Sequence, residues 1–477
     1  MACARLLCRT ENAFRWDLRF IGSLLVLSLF AALAQSRLAA QQSPKTAAKQ
    51  PAAAGGKGAL LMQLDRITKF PYSEATIAYA LPGGKVLIAG AAHASAKDVV
   101  GWDPFMGKYG CHVTFVMLRL NPNGAVDQSF GNNGFAVADL GKWGGYPSKI
   151  LIQPDGKILL MGYTSSTWWP PAPTFPDRTY AISRFTADGQ PDPSYGTNGI
   201  LKHPAVPGFF FMTAALQPDG KLLLGGGVHT RGPDQFRLMR LNINGALDTT
   251  FNEKGLPADF SAEQIRGFAV AKNGAIWVVG QFDPKHPYQA TNSRGIVAKL
   301  NPNGTPDPSF GYHGYILVKN SVQGEFSDCF MTPDDKFVMV GWWNSAFMAV
   351  KFLANGSLDS SYGKDGIASI KFPDRSLPLP LSSAMTPNGD IYVGYGTDKS
   401  FSVIHFKANG SPDLSIGKSG FLSSTDIGVV YASDISDHWM TPMPDGRIIV
   451  AGFHQYVVEE GNSSHKVTEA KIVTLRR

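Results

Sequence analysis

The sequence is poor in charge, in cysteine and in long apolar runs, and each shortage excludes something. Charged residues make up 17% of the 477, and no Lys/Arg run forms the basic stripe of a nucleic-acid binder. Only four cysteines occur, two of them (Cys3 and Cys8) at the very start, so a disulfide-stapled scaffold is out. The most apolar stretch, residues 21–34, is 14 residues long, short of the roughly 20 that span a bilayer. HExxH, GxSxG, CxxC, a Walker loop and a strand-following GxGxxG are all missing, which removes enzyme classes whose site is written in one segment. Glycine (51) and proline (32) are plentiful instead, as in chains of short strands joined by tight turns.

Residues 1–40 read as a signal peptide. Four arginines in "MACARLLCRTENAFRWDLRF" precede "IGSLLVLSLFAALA", and small residues follow, which sets cleavage near Ala34 or Ala40. The competing reading, a membrane anchor, fails on length, and a lipoprotein would need a cysteine after the apolar stretch, whereas Cys8 lies before it. The leader carries three of the seven net positive charges, so the mature chain is only weakly basic and no nucleic-acid partner is expected. Residues 41–57, rich in Gln, Ala, Pro and Gly, have no apolar periodicity and read as a flexible linker.

From Gly58 the chain is periodic. "LIQPDGKILLMGY", "ALQPDGKLLLGGG" and "PMPDGRIIVAGF" repeat one phrase, and its turn position falls at Gly84, Gly156, Gly220, Gly274, Asp335, Gly389 and Gly446. That makes seven repeats of about sixty residues. The apolar run breaks because Asp-Gly and Asn-Gly accept the positive φ of a tight hairpin turn; Asp335 is a tolerable substitute. Glycine recurs beyond the turn at Gly90, Gly162, Gly226, Gly280, Gly341 and Gly452, where a bulge or a close backbone would exclude a side chain.

A second phrase alternates with the first, as in "RLNPNGAVDQSFGNNG" and "KLNPNGTPDPSFGYHG", six times rather than seven. Its aspartate recurs at Asp127, Asp192, Asp248, Asp307, Asp359 and Asp413. A calcium loop would need denser acidic ligands and a distal Glu. Two other roles fit: capping of backbone N–H groups, or pairing with the base ending the preceding strand (Arg119, Arg184, Arg240, Lys299, Lys351).

Each repeat thus supplies two hairpins. The expected fold is all-β: a seven-bladed β-propeller of four-stranded antiparallel blades spanning residues 58–477. The last repeat ends in its third strand, "AKIVTLRR", and "GALLMQLDRIT" at the start resembles the missing fourth, so an N-terminal strand is expected to close the ring. The paired phrases also resemble the delta-60 repeat family of exported bacterial proteins over nearly all of residues 58–477. The resemblance implies a β-propeller-like fold and an extracytoplasmic setting, and it brings no catalytic residues.

Candidate chemistry is sparse. In the usual propeller scheme Glu74, Lys149, Arg266, Asp328, Asp437 and His438 stand just before the innermost strands and ring the channel mouth, as an acid/base set or as mutually paired rim charges. Aromatic residues are the better lead. "TSSTWWPPAPTFPDRTY" sets Trp168 and Trp169 among prolines, suited to stacking on sugars, proline-rich peptides or a partner, or else to covering their own blade. Trp342 and Trp343, in a short connection, are expected to pack between blades. Connections between second and third strands are long in the first repeat (91–113), the second (163–178) and the seventh (453–468), which are neighbours in a closed ring. They are expected to raise one lip carrying Trp102, Phe105, Tyr109, Trp168, Trp169, His454 and Tyr456.

The function expected is an exported, noncatalytic binding or scaffold module at the bacterial cell surface or in the periplasm. Its partner would be a glycan, a peptide or a protein on one face, with no cofactor, no metal, no membrane span after cleavage, and a monomeric chain. A second reading stays open: a propeller hydrolase or lyase acting on a carbohydrate or lactone at the channel mouth. Cys111 and Cys329 belong to the first and fifth repeats, too far apart around a ring for the roughly 4.4 to 6.8 Å between bridged Cα atoms. Alkylation of the denatured, unreduced mature protein is expected to add two adducts by intact mass; none would mean a bridge.

Overall fold

The computed structural model describes residues 59–63, 73–93, 99–103, 108–111, 113–140, 145–165, 178–203, 209–228, 235–252, 264–282, 294–318, 324–343, 345–372, 379–396, 400–424, 439–460 and 463–476. They form a seven-bladed β-propeller. The leader, the linker, Asp437 and His438 lie outside the described residues.

The first blade is built from Ser73–Ala80, Val86–His93, Val113–Leu120 and Phe135–Ala138, and the second from Gly145–Ile152, Ile158–Ser165, Arg178–Phe185 and Ile200–His203. Blades four, five and six repeat the plan, beginning at Gln264–Val270, Gly324–Met331 and Leu379–Met385. The third shows three strands among the described residues, Phe209–Leu216, Leu222–Val228 and Gln235–Leu241. In the seventh, Met440–Pro442, Arg447–Glu460 and Ser463–Arg476 are followed in the sheet by Ala59–Gln63. This N-terminal strand pairs antiparallel with the last one, Ala59 opposite Thr474 and Gln63 opposite Lys471, so the ring closes as expected.

The hairpin turns follow their chemistry. Gly156 has φ 83° and Asp335 φ 60°, both in the left-handed region that Asp-Gly turns require. The second strands read as unbroken apolar runs because both of their faces are buried. Leu160 faces the first blade while Leu159 and Met161 face the third. Every seam between adjacent blades holds one apolar cluster, and the seam between seventh and first is filled by Ala75, Ile88, Leu118, Met443, Ile449 and Ile472. Trp343 and Trp342 pack on opposite sides of the fifth blade, as expected.

The first strands carry a feature that the periodicity did not announce. Six of them contain a one-residue bulge at the same place, at Thr76, Ser148, Met212, Arg266, Ser327 and Leu381. The residue before each bulge faces the recurrent glycine, or Tyr395 in the sixth blade; Ala75 faces Gly90 and Phe326 faces Gly341. Bulges tighten twist and re-aim side chains.

Two connections also differ from expectation. Residues 453–468 are mostly strand: the second and third strands of the seventh blade run 14 residues each. Alternating "HQYVVEE" and "SSHKVTE" around "GN" is itself a hairpin signal. The insertion in the first blade holds a two-stranded sheet, Val99–Asp103 with Lys108–Cys111. Val99–Gly110 and Gln455–Thr468 belong to a compact unit distinct from the one that contains the blades.

Closure by the N-terminal strand has a direct test. Deleting residues 58–68 should lower the melting temperature of the whole ring by at least several degrees, because a long sheet edge and the outer face of one blade are exposed. Deleting residues 41–56 should leave it unchanged. Equal melting temperatures for the two truncations would refute the closure.

Candidate functional site

The recurrent aspartate is the best-defined polar site, and it joins blades. In the third blade Asp248 Oδ1 accepts the Thr250 hydroxyl at 2.5 Å and its N–H at 3.0 Å. Its Oδ2 accepts Arg240 Nε at 2.8 Å and Lys221 Nζ at 2.8 Å. The two roles weighed for this residue, capping and pairing, are therefore filled together by its two oxygens. Arg240 then donates from Nη1 to Pro302 O of the fourth blade at 2.6 Å and stacks on Phe251, 4.7 Å from the ring centroid. The turn glycine of the fourth blade, Gly304, lies so close to Phe251 that a Cβ there would come within 2.7 Å of the ring. One carboxylate thus aims one guanidinium at the next blade's Asn-x-Asn-Gly turn.

The same bridge recurs around the ring. Arg119 reaches Ala187 O at 3.0 Å, Arg184 reaches Ile243 O at 2.5 Å and Lys299 reaches Ala354 O at 3.3 Å. The seventh blade draws its outer strand from the N-terminus and so has no such loop; Arg447 donates across its seam to Pro122 O at 2.9 Å. In the sixth blade the base is His405, which "HFKANG" aligns with the arginines and lysines of the other blades. Its Nδ1 lies 3.0 Å from Asp413 and its Nε2 3.2 Å from Asp390.

This bonding fixes the electrostatics. The Lys336 ammonium, then the Ser361 hydroxyl, hold Asp359 at about 2. Lys85 and Ser129 hold Asp127 well below the ordinary carboxylate range, and Ser415 does the same, more mildly, for Asp413. Every described carboxyl whose pKa is displaced is displaced downward. Among the described residues no group of three His, Cys, Asp or Glu could hold a metal ion.

The charged set assigned to the channel mouth is corrected by the bulges. Glu74, Lys149, Arg266 and Asp328 lie within the innermost strands, not before them; Lys149 and Asp328 follow their bulges, Arg266 is the bulged residue and Glu74 lies two residues before its bulge. Asp328 accepts the Ser383 hydroxyl of the sixth blade at 2.7 Å and the Cys329 N–H at 2.8 Å. It therefore helps hold two blades together. Cys329 is a buried thiol.

Of the aromatic set, Trp102, Tyr109, His454 and Tyr456 fall in strands: Val99–Asp103, Lys108–Cys111 and, for the last two, Arg447–Glu460. Phe105, Trp168 and Trp169 lie outside the described residues. A wide concavity of about 550 Å³ opens at the other end of the innermost strands, over Leu216, Val270, Met331 and Met385. Its polar lining is turned inward: Gln217 serves Arg240 and Pro302 O, and Thr332 accepts Lys336 N–H. Among the described residues no helix is long and apolar enough to cross a membrane.

Replacing Asp359 with Asn should destabilise the protein at pH 7 by about 3 kcal/mol in urea unfolding, because Lys336 and Lys351 lose their shared counter-charge. With Asp359 depressed to about 2, its contribution is complete above the ordinary carboxylate pKa of about 4 and is lost as pH falls from there toward 2. The variant's stability should therefore fall less steeply across that window; parallel curves would refute the assignment.

No curated protein matches the chain. Among solved structures, the chain is similar to the polysaccharide lyase Uly1, with 13% identity over 85% of this chain and 90% of that one, at a TM-score of 0.47. It is also similar to a PL25 ulvan lyase bound to a glucuronate–sulfated rhamnose unit (11% identity, 84% and 94% covered, TM-score 0.42). A third is the calcium-binding protein regucalcin of Agrobacterium tumefaciens (12% identity, 71% and 85% covered, TM-score 0.36). Residues 109–130, 153–195, 217–251 and 272–310, in the first four blades, match the family described as a domain of unknown function (DUF5122) beta-propeller, which supports a β-propeller repeat family.

Proposed function

We propose that the chain is an exported β-propeller of the delta-60 repeat kind that binds a glycan, peptide or protein and does no chemistry. It would work at the bacterial cell surface or in the periplasm, as a monomer, after loss of residues 1–40. The observation that carries this reading is the construction of two second-to-third connections. A blade needs only a short link there, yet the first builds a separate two-stranded sheet and the seventh prolongs both strands to 14 residues. Ordering such segments costs backbone entropy that no blade recovers, and binding residues sit on such additions to a rigid scaffold. Trp102, Tyr109, His454 and Tyr456 lie on these strands, and Trp168 and Trp169 in the second blade's long connection.

The test is a glycan and peptidoglycan array probed with the mature protein, followed by titration of the best hit. Changing Trp168 and Trp169 together to Ala should weaken that binding at least tenfold, the loss of one stacked contact, with the melting temperature unchanged. A large loss of stability with unaltered binding would mean that the pair packs on its own blade.

A further inference from the structure

In five blades the recurrent aspartate pairs with an arginine or a lysine: Arg119, Arg184, Arg240, Lys299 and Lys351. The sixth inverts the pattern. Lys85, Lys157, Lys221 and Lys336 follow the turn position in their blades, and Asp390 takes that place in the sixth. One carboxylate between two cations becomes one imidazole between two carboxylates. His405 is buried, 2% exposed, with its ring flat on Tyr392 at 4.4 Å. Neither acid is free to swing away. Ala408 N–H holds Asp390 Oδ1 at 2.9 Å, Asn388 lies 3.4 Å from its Oδ2, and Ser415 holds Asp413 Oδ1 at 2.6 Å.

A neutral imidazole has one N–H, so it donates to one of these carboxylates and turns a lone pair on the other; an imidazolium donates to both. We propose that His405 is a proton-operated lock that ties the two turn regions of the sixth blade together, through Asp390 and Asp413, only while it is doubly protonated. Among the described residues, Asp390 after the first turn, Asp413 in the loop after the third strand and Tyr392 on the second strand face it. Imidazole is the side chain suited to gaining and losing a proton near neutrality, and among the six recurrent aspartates only Asp413 has an imidazole as its partner base. The sign is fixed: the lock is closed on the acid side and opens as pH rises, opposite to the dependence set by Asp359. Its position matters, because the sixth blade adjoins the seventh, which offers no Asn-x-Asn-Gly turn to grip. Rising pH thus loosens the ring beside its closure.

Hydrogen exchange of the full chain at pH 5.5 and 8.0, corrected for intrinsic rates, reads the lock. Residues 405–415 are compared with 184–194, the equivalent segment that carries Arg184. Protection of the sixth blade relative to the second should fall by about tenfold at the higher pH. Asp390→Asn lets a neutral ring donate to Asp413 and accept from the new amide, and His405→Lys carries a lasting charge, so the ratio should stay constant in both. A constant ratio in the unaltered protein, or a fall that persists in both variants, would overturn the proposal; if His405→Lys does not fold, Asp390→Asn decides alone.

Discussion

The joints between blades depend on a recurrent carboxylate, which in four blades organises two cations. Without Asp248, Arg240 and Lys221 would be two like charges side by side at a blade edge; with it, the guanidinium is oriented and reaches the neighbouring turn. The aromatic that follows the aspartate shields the arrangement from water, which raises the value of each bond in it. Blade-to-blade spacing is set by this chain of contacts as much as by the apolar seams. Seams alone would tolerate sliding, since apolar packing is non-directional, whereas a donor aimed at a particular carbonyl is not.

The two systems divide the work. Side chains from both faces of the sheets fill seven clusters that run from the first strands to the fourth, and the charged bridges join the turns that follow the third strands. The six bulged first strands, next to the channel, supply extra twist where the blades converge. Asp328, which a search for reactive groups would single out, bonds Ser383 and so belongs to the joints between blades.

What could be read from the chain was what is local. Turn glycines, the count of seven and the displaced strand are written in contiguous residues, and the ring follows from them. The bulges were hidden because register is a property of two strands, and no single segment spells it. The pairing of Asp127 with Arg119 could be named as one of two options, but the reach of Arg119 to Ala187 depends on a blade 68 residues away. Residues 453–468 were misjudged by comparing loop lengths, although alternating "YVV" and "KVT" already described strands. His405 is hard to read as the equivalent base because an imidazole, unlike arginine or lysine, need not carry a charge. Tryptophans set among prolines, as at Trp168 and Trp169, announce stacking but do not say on what.

The strand Ala59–Gln63 has a mechanical consequence. It lies antiparallel to the last strand, so Ala59 and Thr474 sit together at the same end of their shared ladder. Tension applied through the two chain ends would act on that end first and part the bonds one pair at a time, as a zipper opens, rather than loading the whole ladder in shear. The ring is thus held against heat by the entire structure, but against pulling at its ends by only one pair of hydrogen-bonded residues at any moment.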